Sequence, residues 1–325
     1  MVQDKDDFQG YFRDKRVLIT GGTGFIGSAL ARRIAPLAQE THLVLRDKSS
    51  VEKLSEVQKQ ITFHKIELSK PGSLLEELSY LKPDYIFHFA QPSPEKVKTI
   101  EGFLEAQPLA LSMMANVLEF GKEQGVGKIL HACSSTIYST QQEKAISENS
   151  VLRPNCIRGL IKSAERNLCL FYASYHNLPV VLGRVFRAYG PWDSEKKLIV
   201  QALTKYYSKQ PLQLVSDLPS RDYIHVDDIA DYFMQLCVEP TEPGAEFNMG
   251  SGRALSASEI VSELNTLLHG DILIDEKEYP ISAMDRQNQA SDQTKTLNFL
   301  KRAPKTDLKT GLQGVIDWYE IHRKQ

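Results

Sequence analysis

The segment Thr20-Gly21-Gly22-Thr23-Gly24-Phe25-Ile26-Gly27 constrains this chain more than any other stretch. It follows the apolar run Val17 to Thr20 and precedes Ile26, Ala29, Leu30, Ile34 and Leu37, which recur at helical spacing. A strand that turns into a helix through glycines at 21, 24 and 27 is the arrangement that cradles a dinucleotide pyrophosphate. Gly21 permits the tight turn, Gly24 lets backbone approach a phosphate, and Gly27 allows close helix–strand packing. The helix N-terminus adds N–H groups and a partial positive charge. Gly21, Thr23, Gly24, Phe25, Ile26 and Gly27 are therefore the expected cofactor contacts.

An acidic residue about 20 positions on, at the end of the second strand, would hold the ribose hydroxyls of NAD. Leu45 is followed instead by Arg46 and then Asp47. Arg46 suits a 2′-phosphate and favours NADP, while Asp47, one residue on, keeps NAD open.

The alternation of strand and helix continues. Strands are expected at His42 to Leu45, Ile61 to Phe63, Tyr85 to Ala90, Lys128 to Ala132 and Pro179 to Val185, with another near Ala245 to Asn248. Helices are expected at Leu109 to Lys122 and Ile157 to Tyr175. Such alternation means an α/β fold with a parallel sheet covered on both faces. Beyond Tyr189 the helical stretches Leu198 to Lys209, Asp227 to Val238 and Ala257 to His269 alternate with short strands and Pro/Gly-rich turns. The expected division is a lead-in over residues 1–14, a dinucleotide-binding domain over 15–188, and a smaller lobe over 189–325 whose chain crosses back to the sheet.

Charge and cysteine usage narrow the partners. With Lys plus Arg at 39 and Asp plus Glu at 41, the net charge of −2 speaks against nucleic acid or an anionic membrane as the main partner. Phosphate must be held by a few placed groups. Cys133, Cys156, Cys169 and Cys237 form no CxxC pair and no zinc spacing, so no metal is expected and the thiols read as reduced and cytoplasmic. No apolar run approaches the ~18 residues that span a bilayer. Met1 to Lys15 is charged and reads as a lead-in rather than an export signal.

Further motifs carry a family resemblance. Glu67-Leu68, Phe87 to Gln91 (FHFAQ), Cys133 to Tyr138 (CSSTIY), Gly183 to Pro191 (GRVFRAYGP), Arg221 to Asp228 (RDYIHVDD) and Phe247 to Gly252 (FNMGSG) follow the glycine turn in order. Together they resemble the extended short-chain dehydrogenase/reductases, in particular their nucleotide-sugar epimerase/dehydratase group. The resemblance implies a Rossmann-type doubly wound parallel sheet with a smaller mixed α/β C-terminal lobe. It adds Glu67, Leu68, Ala90, Gln91 and Lys162 to the cofactor contacts. It assigns Arg221, Arg187 and Arg286 to a nucleotide-diphosphate sugar, and implies a homodimer through the helices Leu109 to Lys122 and Ile157 to Tyr175.

The family's chemistry uses a Ser or Thr on the fifth strand, and a Tyr four residues before a Lys. Ser134 and Lys162 stand at the first and last positions, but Arg158 stands where the Tyr belongs. A guanidinium with a pKa above ~12 is no acid or base near neutrality. It could anchor a phosphate or polarise a carbonyl. Tyr138, Cys156, Ser134 with water, or the substrate itself are the candidate substitute acids. The family's 4,6-dehydratases carry Asp-Glu after the Ser/Thr, whereas Ser135 and Thr136 occupy those positions here. The expectation is thus an NAD(P)-dependent epimerase or ketoreductase with a non-standard acid/base. The alternative is a catalytically weak paralogue that binds cofactor and nucleotide sugar as a regulatory or partner subunit.

Overall fold

The structure is a computed structural model that describes residues 5–47, 49–92, 99–138, 145–214, 220–275, 289–300 and 303–322. Its main sheet contains β1 (Arg16–Thr20), β2 (Glu40–Leu45), β3 (Ile61–Lys65), β4 (Tyr85–His88), β5 (Lys128–Ser134), β6 (Val180–Val185) and β10 (Glu246–Met249). Their spatial order is β10-β6-β5-β4-β1-β2-β3. The pairings β1–β2, β1–β4, β2–β3 and β4–β5 are parallel. Winding outward both ways from β1 is the Rossmann-type doubly wound order, and the expected α/β class is what the chain adopts. Ligands of such sheets bind beyond the carboxyl ends of the strands where the order reverses, here between β1 and β4.

Burial explains why the strands read as near-continuous apolar runs. Every residue of β4, β5 and β6 is buried, as expected when helices cover both faces. The covering helices include α2 (Phe25–Ile34), α4 (Ile100–Gln124) and α5 (Ile157–His176). Helix α4 begins nine residues before the expected start at Leu109, because Pro108 does not end it. Pro108 removes one N–H, yet Thr99 caps the new start by accepting from Gly102 N at 3.2 Å. Helix α1 (Lys5–Phe12) precedes β1, with Phe8 and Phe12 buried and the Tyr11 hydroxyl bonded to that of Tyr85.

The chain divides into two compact units. The first comprises residues 1–137, 154–184 and 230–247. Its buried Arg184 meets Glu246 at 2.7 Å, and Arg166 binds the same carboxylate from α5.

The second unit comprises residues 138–153, 185–229 and 248–325. It contains a sheet in the order β11-β9-β7, built from β7 (Arg187–Tyr189), β9 (Arg221–His225) and β11 (Ala254–Leu255). Its core gathers Tyr189, Leu203, Tyr223, Leu264 and Leu312 from these strands and from α6 (Leu198–Ser208), α8 (Ala257–Leu268) and α10 (Leu308–His322). Helix α7 (Val226–Val238) begins here and continues into the first unit.

Candidate cofactor and substrate site

The glycine turn closes as its sequence requires. Gly21 has φ of 71°, a left-handed conformation that side chains resist, and its carbonyl accepts Gly24 N at 3.0 Å. A Cβ at Gly21 would collide with the backbone of Phe89 and Ala90, beyond the end of β4. The two strand ends that flank the switch point therefore touch only because residue 21 is glycine. Gly24 is the N-cap of α2, with no side-chain cap and no acidic residue in the first turn. First-turn N–H groups have no intrahelical acceptor and carry the positive end of the dipole. This cradle fits a pyrophosphate. Gly24 is exposed, and Gly21, Thr23, Phe25 and Ile26 are half-buried around it. Gly27 lies against the Gly21 carbonyl, where any Cβ would clash.

At the neighbouring strand ends, Arg46 follows β2 directly and is exposed. Asp47 pairs with Lys65 at 3.6 Å. Glu67 is exposed and accepts the Ser69 hydroxyl at 2.6 Å; this bond, with the field of Arg46, lowers its carboxyl below the ordinary value. Leu68 is buried.

Helix α5 brings the candidate catalytic groups to β5. Gly159 admits the Thr136 carbonyl where a Cβ would clash, so the first turn of α5 lies against the end of β5. The Ser134 hydroxyl accepts from Thr136 N at 3.3 Å and Thr136 Oγ1 at 3.0 Å. Its own proton is left for another acceptor. Arg158 is exposed in the first turn, whereas Lys162, one turn on, is 2% exposed. Lys162 Nζ donates to Ala132 O at 2.7 Å and lies 3.0 Å from Glu165.

Glu165 was not among the groups singled out from sequence. Its side chain is fully buried, accepts Gln91 Nε2 at 2.7 Å and lies 3.4 Å from His131. His131 stacks on His88, whose Nδ1 meets Thr20 Oγ1 at 2.7 Å. Burial alone would raise the Glu165 carboxyl, but Lys162 and His131 pull it well below the usual range. Burial lowers both imidazoles, so they stay neutral. The only sequence hint of Glu165 was an acid three residues after Lys162 on a helix face otherwise apolar and inward. Gln91 and Ala90, both half-buried, line the end of this tier.

In the second unit, strand alternation sends the side chains of β9 to two faces. Arg221 and Tyr223 share one face, and Arg187 of β7 is the register partner of Tyr223. Arg187 hydrogen-bonds the Tyr223 hydroxyl, and both arginines counter the upward push of burial on that phenol. Arg187 and Arg221 are thus brought together. Asp222 faces the other way, accepting Ser251 N and Oγ, Gly252 N, and Ser291 N and Oγ. Tyr138 is 1% exposed and donates to Asn248 Oδ1 at 2.7 Å. Arg286 lies outside the described residues.

Fold and turn together define a dinucleotide-binding α/β protein. The model of the NAD dependent epimerase/dehydratase family matches residues 17–250, and the chain belongs to that family. It is 25% identical to a probable dTDP-glucose 4,6-dehydratase of Sinorhizobium fredii, over 94% of this chain and 92% of the relative. A UDP-glucose 4-epimerase of Thermotoga maritima, solved with UDP-glucose, shares the fold with a TM-score of 0.85 at 20% identity, over 94% of this chain and 99% of that one. A dTDP-glucose 4,6-dehydratase of Bacillus anthracis, solved with NAD, gives 0.83 at 23% identity, over 95% and 98%. Among the described residues no helix is long and apolar enough to cross a membrane, and no group of His, Cys, Asp or Glu could hold a metal ion.

Proposed function

We propose that this chain is an NAD(P)-dependent enzyme that epimerises or reduces a nucleotide-diphosphate sugar at a ring carbon. The observation that carries the proposal is the pairing of Arg187 and Arg221 over Tyr223, a second anion-binding set besides the glycine turn. Two guanidiniums on one face suit a diphosphate, whose oxygens each planar fork can bind in pairs. Arg286 is assigned to the same diphosphate. The cofactor, when bound, supplies hydride transfer.

The chain's own residues do the rest. The Gly21–Gly27 turn and the first turn of α2 hold the pyrophosphate. Arg46, exposed beyond β2, contacts a 2′-phosphate, which makes NADP the preferred form; relatives solved with NAD keep that form in the test. Ala90, Gln91, Glu67 and Leu68 line the remaining cofactor surface. Ser134 donates its proton to the reacting oxygen, since its lone pairs are engaged by Thr136. Arg158 polarises the same oxygen without exchanging a proton. Tyr138, enclosed and donating to Asn248, is assigned to packing. Elimination of the 4,6-dehydratase kind needs an acid/base pair after Ser134, and Ser135 and Thr136 supply none. Residues 15–188 are assigned to the cofactor and 189–325 mainly to the sugar nucleotide.

We also propose a cytoplasmic homodimer. Leu111 and Ala115 of α4 and Ala164, Leu168 and Phe171 of α5 line an apolar groove, flanked by exposed Leu160 and Tyr175.

Mass spectrometry of ligands released from purified protein, followed by turnover of nucleotide sugars and keto-sugars with NAD(P)(H), tests the assignment. Turnover lost on Lys162→Ala is the expected result. Bound cofactor and sugar nucleotide without turnover across a broad panel would make the chain a binding subunit. Neither ligand bound would refute both.

A further inference from the structure

The tier of Thr20, His88, His131, Lys162, Glu165 and Gln91 is costly to bury. Among the described residues, His88 Nε2, both His131 nitrogens and Glu165 Oε2 have no hydrogen-bond partner, the last being met by Lys162 at 3.0 Å as an ion pair. A core selected for stability alone would fill that space with apolar side chains, because a buried ion pair gains little over them. The tier instead ties together two groups assigned to the cofactor. Gln91, beyond β4, gives its amide to Glu165 Oε1, and Lys162 of α5 meets the other oxygen of the same carboxylate. Lys162 also donates to Ala132 O, two residues before Ser134 on β5.

We propose that Glu165 is a positioning residue: its carboxylate couples Gln91 to Lys162, and so fixes both where the cofactor is expected. The proposal rests on the cofactor assignment above. Without a tyrosine at position 158, Lys162 has no phenolate to pair with, and Glu165 supplies its counter-charge. The groups facing Lys162 are Glu165 and Cys169 on its own helix, the latter thiol pushed well up by burial, His131 and Cys133 of β5, and, one layer further, His88 of β4. The imidazoles are neutral, and burial pushes the Cys133 thiol up to about 11, so Glu165 is the one anion among these groups near neutral pH.

Glu165→Gln separates charge from shape, because the amide oxygen still accepts from Gln91. In this variant burial favours the neutral amine at Lys162. The unfolded chain then binds a proton that the folded chain does not, so stability rises as pH climbs from 7 to 9.5. Wild type lacks this gain, and so does Lys162→Met/Glu165→Gln. Urea unfolding of the cofactor-free proteins at both pH values reads the pair. Calorimetric titration with NAD and NADP at pH 7 reads the coupling, with Glu165→Gln expected to weaken affinity about tenfold or more, the scale of removing one partner of a buried ion pair.

Unchanged affinity together with parallel unfolding slopes overturns the proposal. Unchanged affinity with the extra slope overturns the coupling and leaves only the ion pair. Should Glu165→Gln fail to fold, Glu165→Asp, which keeps the charge but shortens its reach, takes its place: a folded Asp variant that binds cofactor weakly supports the proposal, and one that binds as wild type refutes it. Failure of the double variant to fold also refutes it, since Glu165 would then be needed for packing and not for Lys162. Wild type that binds neither dinucleotide defeats the cofactor assignment instead, while the unfolding slopes still judge the pair.

Discussion

Gly24→Ser should strengthen the fold and weaken the cofactor site at once. Gly24 caps α2 with φ of −76° and ψ of 177°, extended backbone that serine adopts without strain. The nearest atom to a new Cβ is Gly21 O at 3.2 Å, so the turn yields by a few tenths of an ångström. A serine hydroxyl there accepts from the N–H of Ile26 or Gly27, one of the orphan donors of the first turn. Replacing a glycine cap with serine adds a few tenths of a kcal/mol of stability. For a chain of this size that raises Tm by about 1 °C. The same hydroxyl occupies a donor that a pyrophosphate would use, and its atoms stand where the anion approaches. Losing one hydrogen bond to a charged group costs ~1.5–3 kcal/mol, or about 10- to 100-fold in Kd. Differential scanning calorimetry and isothermal titration with NAD and NADP measure the two effects. A variant that is as stable as wild type and binds dinucleotide equally well would refute the claim that this helix terminus holds the anion.

Other expectations follow from single contacts. Arg221→Ala should weaken UDP or dTDP binding by ~2 kcal/mol, about 30-fold, and leave NAD affinity unchanged in equilibrium titration; equal loss for both ligands would show general damage. Tyr138→Phe removes the bond to Asn248 and should cost ~1–3 kcal/mol in urea unfolding while any turnover persists. Arg184→Met removes the buried guanidinium that meets the half-buried Glu246 carboxylate and should cost ~1.5–3 kcal/mol, read from the denaturation midpoint. His88 and His131 are held neutral in the fold, with values lowered by burial. As pH falls through ~6.5 the unfolded imidazoles take up protons that the folded ones refuse, and stability drops by up to ~1.4 kcal/mol per pH unit for each. Identical urea midpoints at pH 7.5 and 5.5 would contradict this.

The parallel sheet was legible because its strands are apolar runs bounded by turn signals. Val17 to Thr20, Ile61 to Phe63 and Lys128 to Ala132 each lie inside an observed strand. The start of α4 was hidden by Pro108, a helix breaker that an N-cap nine residues upstream outweighs. Strands such as β11 (Ala254–Leu255) carry too few residues for an alternation to register, and exist through pairing with β9. The glycine turn could be read in full, since each glycine answers a local steric demand. Glu165 could not, because nothing local requires it; its partners Gln91 and His131 lie far away in sequence. The depth of Lys162 was likewise invisible, as one turn of helix separates it from exposed Arg158.

The order in which the sheet receives its strands bears on how the protein is made. β10 (Glu246–Met249) flanks β6, yet residues 185–229 belong to the other unit. A nascent chain ending near Arg184 therefore holds β1 to β5 and most of β6, with Val180 to Leu182 as an open apolar margin and Arg184 lacking Glu246. Unpaired margins of that kind recruit other chains, so a gene fragment cut there should yield inclusion bodies rather than a soluble cofactor-binding half. Any dissection of this molecule has to carry the returning segment with it, or begin from a circular permutant that delivers it earlier.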